Sequence, residues 1–161
     1  MRSQASSLST PAAVLLLCTG IVACFPVLPT RFVVLEASRS GGEVDFMSTK
    51  LREQCSAGVL VFELSVLKVD CDRDCEQWDL TRRDRPEPAD ALTDLPIRYG
   101  QEIPYVTVVQ AAKPLTPGVY SVGASMGCFI DGELIGQRVF GRFELPAGEG
   151  EIRNILAEQA P

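Results

Sequence analysis

Beyond residue 30, apolar and polar residues alternate along the chain with a period of two. Residues 59–69 show the pattern most clearly. Their apolar positions are Leu60, Phe62, Leu64 and Val66, and the polar positions between them include Glu63 and Ser65. This alternation is typical of a β-strand with one buried face. We therefore expect residues 59–69 to form a half-buried strand.

Similar runs predict further short strands, separated by Gly-, Pro- and Asp-rich turns. They cover residues 32–35, 44–47, 76–81, 95–100, 105–109, 120–128 and 139–145. Asp131-Gly132 is a preferred pair for a tight hairpin between the last two. The pattern predicts an all-β domain of about seven strands over residues 32–147. A polar tail or short helix is expected over 148–161, and a small up-and-down barrel is the alternative architecture.

One predicted turn is similar to a turn found in a known class of β domains. Leu115-Thr116-Pro117-Gly118, followed by Tyr120, resembles the tyrosine corner of immunoglobulin-like and fibronectin type III domains. The resemblance implies an antiparallel Ig-like β-sandwich. In that fold the Tyr120 hydroxyl would bind backbone groups upstream, and Trp78 would fill the core. No Cys follows Tyr120 by two residues, so the intersheet disulfide of true immunoglobulin domains is missing.

The N-terminus has a different pattern. Residues 12–23 form an apolar run with Arg2 as the only charge before it. The run is shorter than the roughly 20 residues that a membrane-spanning helix needs, and Pro26 and Pro29 oppose its continuation as a helix. This predicts a secretory signal segment over residues 1–23.

The end of this segment, Ile21-Val22-Ala23-Cys24, resembles the lipobox of bacterial lipoproteins. The resemblance implies acylation of Cys24, a short tether over residues 24–31 and a membrane anchor. Phe25, in place of the Asp that retains enteric lipoproteins at the inner membrane, implies the outer membrane, facing the periplasm. The alternatives are cleavage by signal peptidase I, with Cys24 an ordinary residue, and an uncleaved anchor.

The charge of the chain limits its partners. The formal net charge is −6, and removal of residues 1–23 with their single Arg makes it −7. Nucleic acid and anionic membrane surfaces are bound by clustered Lys and Arg, so neither is an expected partner.

Four cysteines follow the signal segment: Cys55, Cys71, Cys75 and Cys128. An even number in an exported protein predicts structural disulfides, although three connectivities are possible. The Ig-like arrangement would place the end of the strand 120–128 near Cys71 and Cys75, so it predicts that Cys128 bonds to one of them. A metal or redox site at Cys71–Cys75 is the alternative, but there is no second Cys pair and no His.

The absence of His removes Ser-His-Asp and Cys-His catalysis and His-ligated metals. We therefore expect no enzyme and no cofactor. Two surfaces are candidate binding sites. One is the cluster of Arg82, Arg83 and Arg85, which suits a phosphate or carboxylate. The other is a row of small residues on one face of the strand 120–128: Ser121, Gly123, Ser125 and Gly127. Another backbone or a glycan could approach this row closely. The alternative is that bulky neighbours such as Phe140 fill the space above it.

Together these features predict a non-enzymatic, envelope-anchored lipoprotein with an Ig-like binding or accessory module. Its expected partner is an unidentified envelope protein or glycan. The alternative is a structural accessory subunit that pairs its edge strands with a membrane complex. A soluble periplasmic ligand-binding protein is a further, less favoured alternative.

Overall fold

A computed structural model describes residues 33–82, 91–148 and 150–155 of the chain. These residues form ten strands and one short helix, which confirms the prediction of a β-rich domain. The elements are β1 (Val33–Val34), β2 (Glu36–Ser40), β3 (Glu43–Met47), α1 (Thr49–Gln54), β4 (Leu60–Lys68), β5 (Glu76–Thr81), β6 (Ile97–Arg98), β7 (Thr107–Gln110), β8 (Gly118–Ile130), β9 (Glu133–Leu145) and β10 (Arg153–Asn154).

The larger sheet has the strand order β1-β9-β8-β4-β5-β7, and β10 also pairs with β9. Its centre is the long β8–β9 hairpin. Asp131 and Gly132 form the hairpin turn with φ angles of 51° and 84°. Two positive φ angles are what a two-residue type I′ turn requires, which explains the Asp-Gly pair. The predicted hairpin is confirmed, and alternate residues of β8 from Tyr120 to Cys128 are buried as expected.

The smaller sheet has the order β2-β3-β6, and its buried side chains meet those of the larger sheet. The ring of Phe46 on β3 lies 5.9 Å from that of Phe143 on β9. Tyr99 meets Phe46 and Trp78 edge-on, at centroid distances of 6.5 and 5.3 Å. One continuous core therefore connects the two sheets.

Two expectations about topology are wrong. The larger sheet is mixed rather than purely antiparallel, because β1 runs parallel to β9. In addition, β4 lies between β5 and β8 in a single sheet. In an Ig-like sandwich β4 and β8 would be the second and sixth strands, called B and F, which belong to opposite sheets. Among the described residues the larger sheet ends at β1 and β7, so it does not close into the alternative barrel.

The disulfides confirm the prediction of structural bonds, but the expected pairing of Cys128 is wrong. Cys55 bonds to Cys128, and Cys71 bonds to Cys75. The reason is the pairing of β8 with β4. These strands are antiparallel neighbours, with Leu60 opposite Gly127 and Lys68 opposite Tyr120. Cys128 therefore lies at the start of β4, beside Cys55, and a full strand length from Cys71.

Two short elements differ from the expectations. Helix α1 was not predicted, because one buried residue, Leu51, gives no helical periodicity. Its start is capped by Ser48, whose Oγ accepts a hydrogen bond from the Leu51 N–H. In the expected tail over 148–161, residues 153–154 form β10 and residues 150–155 contain no helical turn, while residues 149 and 156–161 lie outside the described part of the chain. The Asn154 side chain binds the backbone N–H and C=O of Ala37 at 2.8 and 2.9 Å, which ties β10 to β2.

The predicted signal segment over residues 1–23, the lipobox-like residues 21–24 and the expected tether over residues 24–31 lie outside the described residues. In the part of the chain that the structure does describe, no helix is long and apolar enough to cross a membrane.

Candidate binding surface

The outer face of the larger sheet carries a shallow trough of about 550 Å³. Its floor is formed by small residues from β4 and β8: Ser65, Gly123 and Ser125. Its rims are formed by larger side chains: Glu63, Asp79 and Val109 on one side, and Arg138 and Phe140 on the other. We call this surface the trough.

The strand register explains the flat floor. Ser65 lies opposite Gly123, and Glu63 lies opposite Ser125. A Cβ atom at Gly123 would meet only the Ser65 Oγ, at 3.8 Å. The backbone of two neighbouring strands is therefore close to the surface. A ligand can approach it closely and bind the hydroxyl groups of the two serines.

The trough coincides with only part of the predicted row of small residues. At Gly127 a Cβ would lie 3.2 Å from the Phe62 ring and 2.7 Å from the Ile135 carbonyl oxygen, so this position is covered. Phe140 stands 43% exposed beside Gly123, its cross-strand neighbour, and forms a rim instead of filling the floor. Only Gly123 and Ser125 of the row line the trough.

The two rims differ in charge. Arg138 lies opposite Ser125 on one side, and Glu63 lies opposite Ser125 on the other. Two strand spacings of nearly 5 Å each separate them by roughly 10 Å. The ion pairs formed by the described residues do not include Arg138, Glu63 or Asp79. The trough therefore offers a cation on one rim and carboxylates on the other.

The pKa of the Asp79 carboxyl is raised by its position on the acidic rim. Burial raises the pKa of its carboxyl, and the nearby charges of Glu76 and Glu63 raise it further. A hydrogen bond from the Leu80 backbone N–H lowers the pKa and partly opposes them. A cation bound at this rim would relieve the repulsion among these carboxylates.

The predicted arginine cluster is not a free anion site at Arg82. The Arg82 Nε donates to the Val61 carbonyl at 2.8 Å, and Nη2 donates to the Pro104 carbonyl at 3.2 Å. These bonds join the start of β4 to the loop before β7, and burial lowers the pKa of the guanidinium. Arg82 is therefore used in holding the fold. Arg83 and Arg85 lie outside the described residues.

Trp78 and Tyr120 are both buried in the core, with 2% and 0% of their surfaces exposed. The Tyr120 hydroxyl accepts a hydrogen bond from the Thr116 N–H at 3.0 Å and donates one to the Thr116 carbonyl. Its ring stacks on Phe143 at a centroid distance of 5.4 Å. The corner geometry is thus present, although the strand order around it is not that of an Ig-like domain.

No cluster of three or more metal-ligating side chains occurs among residues 33–82, 91–148 and 150–155. Cys71 and Cys75 are bonded to each other. The trough was only partly accessible to sequence reasoning. The alternation on β8 identifies part of its floor, but the rims come from β4, β5, β7 and β9 and depend on the strand order.

Comparison with protein-family models, with curated proteins and with solved structures finds no match.

Proposed function

We propose that this protein is a non-enzymatic, lipid-anchored module of the bacterial cell envelope that binds an envelope ligand in the trough. The observation that carries the proposal is the trough itself, an open floor of small residues between two rims of opposite charge. The proposed localisation rests on the lipobox-like sequence Ile21-Val22-Ala23-Cys24. Acylation of Cys24 would anchor the chain at the outer membrane, facing the periplasm.

The shape of the trough favours an extended ligand. A floor of Ser65, Gly123 and Ser125 offers hydroxyl groups and accessible backbone, but no deep apolar pocket. Small apolar molecules bind in enclosed, mostly apolar cavities. A glycan or a peptide segment lies along such a surface and exchanges hydrogen bonds with it.

The charges of the two rims restrict which glycan or peptide could bind in the trough. A ligand with an amino group and a carboxylate about 10 Å apart, two strand spacings, would pair with both rims. The amino group would lie near Glu63, two strand spacings from Arg138, and the carboxylate near Arg138 itself; Asp79 lies one strand beyond Glu63. We therefore propose a glycan-peptide of the cell envelope that carries both charges.

The packing of the two sheets through Phe46, Tyr99, Trp78 and Phe143 supports a sandwich-like arrangement as the fold class. In this arrangement the smaller sheet covers the inner face of the larger one. The outer face with the trough is then the face left for a ligand.

The binding proposal is tested with soluble glycan-peptide fragments of the cell wall, titrated into the protein by calorimetry. Gly123→Leu places a side chain on the floor where a Cβ has only one contact, at 3.8 Å. We expect binding to weaken by tenfold or more, a loss of about 1.4 kcal/mol. The control is Ser38→Leu, an exposed site on β2. Equal binding by wild type and Gly123→Leu would contradict the proposal.

Strand β7 supports a second candidate, an accessory subunit that pairs with a membrane complex through its edge. β7 ends the larger sheet among the described strands, and residues 107–110 carry no charge. Val108 and Val109 are 54% and 56% exposed. Edge strands without charged or Pro residues are open to pairing with another chain.

This candidate is tested by native electrophoresis of membranes solubilised in mild detergent. Val108→Lys places a charge on the β7 edge, and Val34→Lys places one on the opposite edge at β1. If β7 pairs with a complex, Val108→Lys releases the protein from a large assembly and Val34→Lys does not. Migration of the wild type as a monomer would argue against this function.

A further inference from the structure

The end of the β8–β9 hairpin extends beyond the rest of the larger sheet. β4 pairs with β8 only as far as Gly127, and from there β8 and β9 continue as a two-stranded ribbon. This ribbon exposes four large apolar side chains by 37–43%: Phe129, Ile130, Leu134 and Ile135. We call these residues and the turn between them the hairpin tip. Grouped apolar side chains on a surface mark a contact with a partner or a membrane.

The base of the hairpin tip is held in place. Cys128 is bonded to Cys55, which follows helix α1. The Gln137 side chain also donates to Gln54 Oε1 at 2.9 Å. The ribbon is therefore fixed to α1 directly below its exposed part. A rigid projection loses little conformational entropy when it makes a contact.

The direction of β1 relates the hairpin tip to the proposed anchor. β1 runs parallel to β9, with Val33 opposite Val139 and Val34 opposite Phe140. Its first residue therefore points toward the end of the sheet that carries the hairpin tip. Along β9, Val139 lies roughly 17 Å from Leu134 at about 3.3 Å per residue. From Cys24 to Val33 the chain spans at most about 32 Å.

We infer that the hairpin tip touches the surface of the bilayer in which Cys24 is anchored. The inference rests on the proposed lipid anchor. β1, the first described strand after Cys24, starts toward the hairpin end of the sheet, and the distances above allow the apolar side chains to reach the membrane. Apolar side chains at the boundary between headgroups and acyl chains gain the free energy of leaving water.

The charges of the ribbon define how it lies on the lipid. Phe129 and Leu134 are cross-strand partners on one face, and exposed Arg138 follows on the same face. Glu133 is on the opposite face, and Asp131 is in the turn. A tilt toward the Phe129–Leu134 face puts this apolar pair among the lipids, while Arg138, four residues further along β9, stays with the trough. Both carboxylates stay in the headgroup region, because a charge deeper in the bilayer is costly.

The test uses the full, processed chain in vesicles of zwitterionic phosphatidylcholine whose acyl chains carry bromine, which quenches tryptophan emission. Leu134→Trp places a reporter on the hairpin tip at a 43% exposed site. Val69→Trp is the control, since Val69 is 39% exposed and lies just beyond β4 at the opposite end of the sheet. Trp78 is buried and gives the same background in both proteins.

We expect brominated lipid to reduce the emission of Leu134→Trp and to leave that of Val69→Trp unchanged. The intact mass of the same samples reports acylation of Cys24 separately. Acylated Cys24 with no quenching of Leu134→Trp would overturn the inference and leave the anchor standing. Unmodified Cys24 would overturn the anchor, and the inference with it. A second measurement uses native membranes and aqueous iodide. If Leu134→Trp is shielded from iodide there but is not quenched in the brominated vesicles, its partner is a protein, and the inference of a lipid contact is overturned.

Discussion

Gly141 lies where β9 passes the connection between β1 and β2. A Cβ atom there would overlap the Leu35 carbonyl oxygen and lie 3.1 Å from a Val122 methyl group. The Leu35 N–H also donates to the Phe140 carbonyl at 3.0 Å, so the backbones cannot separate without losing that bond. Only glycine permits this approach.

We expect Gly141→Ala to lower the free energy of unfolding by about 3 kcal/mol, because overpacking forces the backbone to shift. Gly136→Ala is the matched control on the same strand, since a Cβ there meets nothing within 4 Å. It should be neutral or slightly stabilising, since Gly weakens strands. Urea denaturation of the three proteins measures both effects. Equal midpoints for the two variants would show that the contact at Leu35 is unimportant.

Tyr120 connects the turn at Thr116 to the core. Tyr120→Phe keeps the ring but removes the hydroxyl that binds the Thr116 N–H and carbonyl. We expect a loss of about 1–2 kcal/mol in the free energy of unfolding, because two backbone groups lose their partner. Tyr105→Phe, at a 66% exposed tyrosine, should change little. The corner contributes nothing if chemical denaturation finds the two variants equally stable.

The raised pKa of Asp79 has a consequence for stability. The folded state holds this proton more tightly than the unfolded state. The ionised carboxylate therefore destabilises the fold at pH values above its folded pKa, and this cost disappears as the pH falls through that value. Asp79→Asn should raise the free energy of unfolding at neutral pH, by less than about 1 kcal/mol because solvent screens a partly exposed charge.

The gain from Asp79→Asn should shrink as the pH falls, because the wild-type carboxyl becomes protonated. Urea denaturation of wild type and variant at neutral and acidic pH measures this trend. Asp70→Asn, which changes an exposed carboxylate two residues beyond the end of β4, serves as the control. A gain that grows on acidification would mean that burial and the carboxylates of Glu76 and Glu63 do not control Asp79.

At the level of elements, the two disulfides close loops of very different length. Cys55–Cys128 spans 73 residues and Cys71–Cys75 spans 4. In the chain-entropy model these loops correspond to roughly 4 and roughly 2 kcal/mol of stabilisation. Replacing Cys55 and Cys128 by Ala should therefore cost about twice as much as replacing Cys71 and Cys75. Thermal unfolding of the two double variants measures the difference, and a reversed order would exclude loop length as the cause.

Individual strands were predictable because each carries its own alternation. Residues 59–69 identify β4, and Asp131-Gly132 identifies the β8–β9 turn. The order of strands is not encoded locally. It depends on which buried faces meet, and the tyrosine corner at Tyr120 is compatible with more than one order. The wrong disulfide pairing follows from this, because the pairing of β8 with β4 decides where Cys128 lies.

In the trough too, some residues could be predicted from local sequence and others only from the strand order. Gly123 and Ser125 on β8 could be found from sequence as small residues on one face. Arg138, Glu63 and Asp79 join them only through the register of four neighbouring strands. Arg82 was a candidate ligand-binding residue because its side chain type suits anions. Its bonds to the Val61 and Pro104 carbonyls come from tertiary packing, which no local pattern predicts.

At the level of the whole molecule, the trough and the Phe129–Leu134 pair lie on the same outer face of the larger sheet. The row of residues Leu134, Arg138 and Phe140 on β9 connects them. If the hairpin tip rests on the bilayer, a ligand held in the trough lies within about one strand length of the membrane. The net charge of −6 disfavours a strongly anionic lipid surface, which agrees with a contact made by apolar side chains.

In the proposed function, Cys24 anchors this module to a membrane. The most direct test is intact mass and membrane fractionation of the chain expressed with its own signal segment, beside Cys24→Ala and the control Cys18→Ala. We expect acylated, membrane-bound protein for wild type and Cys18→Ala, and loss of both properties in Cys24→Ala. If all three proteins are soluble and carry no acyl group, the anchor and the membrane-facing role built on it are wrong.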